Sequence, residues 1–325
     1  MTVSSTARWE DHDFPPPYRN ASQIALAHRS MTLPYRYTLA HEAKRTGLSP
    51  TRPMYYSWPW EAQSYDVDIT GRQFMLGESV LVAPVTTPLS CGNGPTQADQ
   101  NSTNCSTGTA TTSLWLPSAS ANWLPAFNNS PPLPLMGAGA VVNVSSSLGD
   151  VPVYVERGTV LPTLPYAAAI KHGSASRAFD PLTWLIYGPE ASGGSGHAVE
   201  DDGMTTETSA VSLDMKYTVS GGCVNMTATA VGGYFGAPTT RQYSFKVVKP
   251  ALFCEEVETQ AAAAAVFDAS GAVMQHLDDC ARRIRGGTTQ EPGWCVEPGS
   301  GDLFVQLPRV GHVEAASASV CGLCA

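Results

Sequence analysis

The sequence predicts a mainly β protein in which a helix leads into β-sandwich domains. Three observations carry this. Apolar residues recur at helical spacing near the start, through Ile24, Leu26, Ala27, Met31, Leu33, Tyr37, Leu39 and Ala40. From about residue 70 onward, short runs of alternating or β-branched residues are divided by Gly and Pro. No train of eight strand–helix units is present, so a complete barrel of that kind is not encoded.

Residues 1–19 read as irregular, with a proline run at 15–17. A helix is expected from Asn20 or Ser22, either of which caps well, to about Lys44, with Gly47 past its end. Pro34 falls inside this pattern and should kink it. Short β-type pieces follow, among them an aromatic-rich one at 53–58. Strands are expected over 73–76 and 79–85 around Gly77, and over 113–116, 140–144, 151–156 and 160–164. The Ser, Thr, Asn and Gly-rich stretch 86–112 reads as an inserted surface loop. A second β block is expected over 182–187, 197–200, 212–219, 223–229, 241–248 and 302–307. The glycines at 193–196 read as a turn or loop, and 257–285 as a helix or low-complexity insertion. No repeat of fixed period is present.

Composition narrows the function. Hydrophobic residues make up 43% and charged residues 14%, which supports packed cores. Net charge is −9 and no basic stripe exists; Arg282, Arg283 and Arg285 are the only tight group, so no nucleic-acid partner is expected. The longest apolar stretch, 261–265 with Val266 and Phe267, is too short for a membrane span.

Other features indicate the secretory route. Six of nine asparagines sit in glycosylation sequons: Asn20, Asn101, Asn104, Asn128, Asn143 and Asn225. Chance alone would give about one or two. The eight cysteines are an even number, as a disulfide set requires. Cys91 and Cys105 bracket a polar loop and form a candidate pair; the pairing of Cys223, Cys254, Cys280, Cys295, Cys321 and Cys324 is open. Secretion or residence in a lumen (ER, vacuole or lysosome) is therefore expected. Residues 1–7 lack the apolar core of a signal peptide, so a natural N-terminus upstream is expected as well.

Several motifs then fall in order. Leu33-Pro34-Tyr35-Arg36-Tyr37-Thr38-Leu39 with Glu42-Ala43 and Gly47 precedes Arg52-Pro53. Gln73-Phe74-Met75-Leu76-Gly77 and Leu81-Val82-Ala83-Pro84-Val85 come next. Pro152-Val153-Tyr154-Val155-Glu156-Arg157-Gly158 with Leu161-Pro162, then Pro181-Leu182-Thr183 and Glu200-Asp201-Asp202-Gly203, complete the series. Together they resemble the C-terminal portion of family 31 glycoside hydrolases, which are α-glucosidase-like. The resemblance implies the terminal helix of a truncated (β/α)8 barrel followed by proximal and distal β-sandwich domains. It divides the chain into 1–69, the end of the barrel; 70–165, the proximal domain; and 166–325, the distal domain with an insertion near 257–300. The long loop at 86–112 and the segment 257–300 depart from the family pattern.

The family's retaining chemistry uses two carboxylates about 5–5.5 Å apart, a nucleophile and an acid/base. Both are aspartates on barrel strands upstream of the leucine-proline-tyrosine helix. Asp11 and Asp13 lie upstream here, but outside the family's tryptophan-aspartate-methionine and glycine-aspartate-asparagine contexts, and His12 does not match its substrate histidine. No catalytic residue is therefore assigned, and the isolated chain is expected to be inactive. A carbohydrate substrate would be engaged through the barrel, and no cofactor is expected.

The remaining candidates have plainer readings. Asp201-Asp202 before Gly203 fits a turn better than a calcium or sugar site, because no Asp-x-Asp-x-Asp-Gly spacing exists. His41-Glu42 lacks a second histidine, since Arg45 stands four positions on, so a zinc site is rejected. Cys321-Gly322-Leu323-Cys324 fits a structural disulfide role better than a redox pair. Trp115, Trp123 and Trp184 fit core packing, whereas Trp58 and Trp60 are the better candidates for stacking on sugars. Two alternatives stand beside the hydrolase fragment: a free β-sandwich that binds polysaccharide, and a subunit that completes a barrel on another chain. The helix separates them, because a free domain would expose its many apolar faces and a barrel would cover them.

Overall fold

A computed structural model of the chain describes residues 16–90, 108–117, 123–127, 130–131, 133, 139–165, 178–205, 209–248, 265–277, 280, 291–297 and 300–321. It opens with two helices, α1 (Pro16–Met31) and α2 (Leu33–Thr46). The expected single kinked helix is thus two, and it starts four residues before Asn20, where proline suits a first helical turn. Pro34 explains the break, since its ring has no N–H to donate and would clash with the carbonyl four residues back. Thr32 fills the junction: its N–H and Oγ1 both donate to the His28 carbonyl, at 3.0 and 3.1 Å. α2 ends at Gly47, whose φ of 78° is left-handed and whose N–H donates to the Ala43 carbonyl.

The first β unit follows. β1 (Thr51–Arg52) precedes two 3-10 turns, at Met54–Tyr56 and Ala62–Tyr65, and a short helix α3 (Val67–Thr70). The aromatic-rich piece at 53–58 is therefore turn rather than strand. Then come β2 (Phe74–Leu76), β3 (Val80–Val82), β4 (Thr109–Trp115), β5 (Trp123–Pro125), β6 (Val141–Ser147) and β7 (Val153–Glu156). β4 begins at Thr109, inside the stretch read as loop. One sheet has the order β1-β2-β3-β7-β5; β4 and β6 form a second, two-stranded sheet over it. Met75, Leu81 and Tyr154 from the first sheet meet Leu114, Trp115, Val142 and Val144 from the second.

The second β unit is a sandwich of two five-stranded sheets. Its strands are β8 (Val160–Thr163), β9 (Leu182–Tyr187), β10 (Gly194–Glu200), β11 (Val211–Ser220), β12 (Cys223–Gly232), β13 (Thr240–Val248), β14 (Ala265–Asp268), β15 (Gly293–Val296), β16 (Leu303–Gly311) and β17 (Ala316–Cys321). The orders are β15-β16-β13-β9-β8 and β10-β11-β12-β17-β14. β8 pairs antiparallel with β9, so it shares the second unit's sheet. β11 and β12 alternate inward and outward, as half-buried strands do. β9 is buried throughout, and it runs parallel to β13 in the middle of its sheet. Trp184, Tyr217, Tyr243 and Phe245 fill the core between the sheets.

Two departures have a steric reason. Residues 194–196 are strand, not turn. A Cβ at Gly196 would lie 2.7 Å from Val160 Cγ1, and one at Gly194 2.5 Å from the Tyr217 ring. Glycine is what lets β10 approach Val160 of the facing sheet at 196 and the neighbouring Tyr217 ring at 194 this closely. Within 257–285, residues 265–268 form β14, because Val266 is fully buried against the sandwich core. The rest of that segment before 265 lies outside the described residues.

The two units meet along a third cluster, in which Val80, Leu124, Val153 and Val155 face Leu161, Leu185 and Tyr187. Tyr187 Oη donates to the Ala126 carbonyl at 2.6 Å across this seam.

Candidate functional site

α2 sits where both β units converge, and each unit holds one of its faces. Residues three and four apart share a helix face, which groups Tyr37 with His41. Towards the first unit, Tyr35 Oη donates to the Leu76 carbonyl at 2.8 Å, and Glu42 Oε2 accepts from Arg52 Nη2 at 3.0 Å. Arg52 is nearly buried and also donates to Glu78 and to the Ser49 carbonyl. Towards the second unit, the Val199 N–H donates to Thr38 Oγ1 at 2.9 Å. Tyr37 Oη donates to Asp201 Oδ1, and His41 Nε2 lies 3.0 Å from Asp201 Oδ2. Burial and the Asp201 carboxylate together hold the Tyr37 phenol above its usual range.

Behind this clamp lies a buried ion pair. Arg241 donates to both carboxylate oxygens of Glu200, at 2.7 and 2.9 Å, and both side chains are shut off from solvent. Glu200 also accepts from the Phe179 N–H and from Tyr234 Oη. Arg241 donates in turn to the Phe179 carbonyl. Such a pair is tolerated because the carboxylate and both terminal guanidinium nitrogens are engaged, although Arg241 Nε finds no partner among the described residues.

The adjacent aspartates divide their work. Asp202 is a turn residue: it accepts from the N–H groups of Met204 and Thr205 and from the Thr205 hydroxyl. Those donors hold its carboxyl below the usual range. Asp201 accepts from the Gly203 N–H as a turn residue would, but it also anchors α2. Sequence reasoning missed that anchor, whose partners lie 160 and 164 residues away. A cleft of about 440 Å³ opens beside it, lined by Thr38, His41, Lys44, Arg45, His197 and Val199 among others.

The other candidates fall as follows. Asp11, His12 and Asp13 lie outside the described residues, as do Cys91, Cys105, Asn101, Asn104 and Asn128. Cys321 bonds to Cys223 across neighbouring strands, and Cys280 to Cys295. Cys321-Gly322-Leu323-Cys324 is thus not a pair within itself. Trp115, Trp123 and Trp184 are buried as expected, but so is Trp58, edge-on to Trp115 with ring centroids 6.0 Å apart. Its place two residues before Trp60 hid the difference, because the turn points Trp58 inward and leaves Trp60 73% exposed. Trp60 stands with Tyr55, Tyr56, Tyr65 and Val67 in an exposed patch, where Tyr55 stacks on Tyr65. Ile24 and Leu26 of α1 are exposed as well.

Comparison with known proteins bears on this arrangement. Residues 47–161 match the model of the glycosyl hydrolase family 31 C-terminal domain. The chain resembles the C-terminal portion of family 31 glycoside hydrolases. It is similar to an α-glucosidase of Hordeum vulgare, 32% identical over 183 residues that make up 56% of this chain and 18% of that protein. It is also similar to the human neutral α-glucosidase AB, 22% identical over 72% of this chain and 22% of that protein. A solved family 31 dextranase of Flavobacterium johnsoniae superposes with a TM-score of 0.72 over 98% of this chain and 34% of its own, at 19% identity. The chain thus spans about a fifth of the length of these two relatives. The structural likeness bears out the mainly β fold with its C-terminal β-sandwich domains.

Proposed function

We propose that these residues are the non-catalytic C-terminal part of an α-glucosidase-type glycoside hydrolase, and that α1 and α2 seat a catalytic barrel on the two β units. The observation that carries this is the grip on α2. Both units hold it through buried or half-buried polar contacts, while Ile24, Leu26 and the 55–67 patch stay open for a further body. Helices with apolar residues left over are what a barrel end requires. The domain reading of 1–69, 70–165 and 166–325 carries over with one change: the last boundary moves back to before β8, because β8 pairs with β9. Neither aspartate of the family's retaining pair stands in its context within these residues, so carbohydrate would be engaged through the barrel. A secreted or lumenal setting is part of the proposal, supported by the two disulfides.

The test is an assay of the purified chain on an aryl α-glucoside, alone and co-expressed with a family 31 barrel stripped of its own C-terminal domains. No turnover alone, and a co-purifying complex with activity, is the expected pair of results. Turnover by the chain alone would overturn the reading. A second reading, a free β-sandwich that binds polysaccharide, rests on the exposed Trp60 platform; a soluble α-glucan that binds the chain but not its Trp60→Ala variant would favour it.

A further inference from the structure

The sequons are the motifs that the hydrolase reading leaves unused, and three of them lie in described residues: Asn20, Asn143 and Asn225. They sit in different surroundings. Asn143 is on β6, which among the described residues pairs only with β4, in a two-stranded sheet. Alternation turns Val142, Val144 and Ser146 into the core and sends Asn143, Ser145 and Ser147 outward. Asn143 and the sequon hydroxyl of Ser145 therefore share one exposed face. Their neighbours across the pair, Ser113, Thr111 and Thr109, are small and uncharged. The Asn143 carbonyl oxygen accepts from Ser113 Oγ, which steadies the side chain, and no hydrogen bond among the described residues involves its Nδ2.

Asn225 is placed in the opposite way. It lies on β12, with β11 on one side and β17 on the other. Its Nδ2 donates to Ser220 Oγ at 3.0 Å, and its Oδ1 accepts from Ser319 Oγ at 2.7 Å. The side chain is half-buried, with both polar atoms engaged. A sugar on that nitrogen would have to displace the Ser220 contact and stand over the neighbouring strands.

We propose that Asn143, and not Asn225, carries an N-linked oligosaccharide. The donor class is an oligosaccharide on a lipid pyrophosphate. The Asn143 amide nitrogen forms a bond to the sugar's C1 and gives up a proton. The bond from C1 to the phosphate oxygen breaks, and the lipid pyrophosphate leaves with its electron pair. The glycan then covers an uncharged face of a two-stranded sheet whose outer edges meet no described strand beyond the single Ser90–Thr109 bridge, the kind of edge on which chains otherwise associate.

This inference rests on the secreted or lumenal setting proposed above, and the experiment separates the two. The chain is expressed behind a leader in a eukaryotic secretory host, then released from its glycans by peptide N-glycosidase in heavy-oxygen water. Mass spectrometry should find Asn143 converted to labelled Asp and Asn225 unconverted. The Ser145→Ala variant, which leaves Asn143 itself untouched, should run faster on a gel by the step of one glycan. Glycan on other sequons with Asn143 bare, or a labelled Asp at 225, overturns this inference alone. A chain recovered with none of its six sequons modified and its cysteines reduced overturns the setting and the inference together.

Discussion

At the scale of single residues, the structure turns on side chains with no room to change. Gly77 is the clearest. Its φ is 67°, and a Cβ there would lie 2.1 Å from Tyr35 Oη and 2.9 Å from Leu39 Cδ2. Backbone strain and close approach therefore both demand glycine at the turn where α2 docks. Gly77→Ala should cost about 2–3 kcal/mol, from the left-handed backbone and the lost Tyr35–Leu76 hydrogen bond. Urea denaturation measures this; a variant as stable as the parent would show that α2 does not rest on this turn. Arg241 is a different kind of case. Its strand also carries Gln242, Ser244 and Lys246, and nothing in the sequence says that the partner of Arg241 is Glu200, in another sheet.

At the scale of elements, α1 is the lightly held one. Ala27 is buried, the Met31 carbonyl accepts from the Leu164 N–H, and His28 stacks on Phe127 with ring centroids 4.5 Å apart. Burial lowers the His28 pKa from its ordinary 6.5, so the folded state disfavours the imidazolium. Above pH 6.5 the ring is neutral folded or unfolded and contributes no pH dependence. As pH falls below 6.5, the unfolded chain takes up the proton first, so stability drops through the window down to the lower folded value. Thermal melts between neutral and mildly acid pH should show this decline, and His28→Gln should flatten that part of it. An identical slope in the variant would remove His28 as the cause.

At the scale of the molecule, the two β units have separate cores joined by one seam and differ in covalent bracing. Cys223–Cys321 closes a span of 98 residues and Cys280–Cys295 one of 15, and all four cysteines belong to the second unit. By chain entropy these loops contribute roughly 4.7 and 3 kcal/mol at most. Reduction should therefore destabilise the second unit selectively and split one denaturation transition into two. Hydrogen exchange on β11–β12 amides against β4–β6 amides reads the difference; equal loss of protection in both units would contradict it.

The sequence by itself determined the helical start, the β character of the rest and the resemblance to a family, through ordered motifs such as 33–39 and 73–77. These signals are local, because periodicity, turn residues and short motifs act over neighbouring positions. Local signals also mark where a helix must break, at Pro34, and where it must end, at Gly47. Only the tertiary structure decided which side of a strand or turn meets another element. It buried Trp58 and exposed Trp60, made strand of the glycines at 194–196, and drew 265–268 into a sheet. It also made Asp201 both a turn residue and the anchor of α2. Each depends on partners far away in the chain, and the reach of a side chain across a fold is not encoded in spacing.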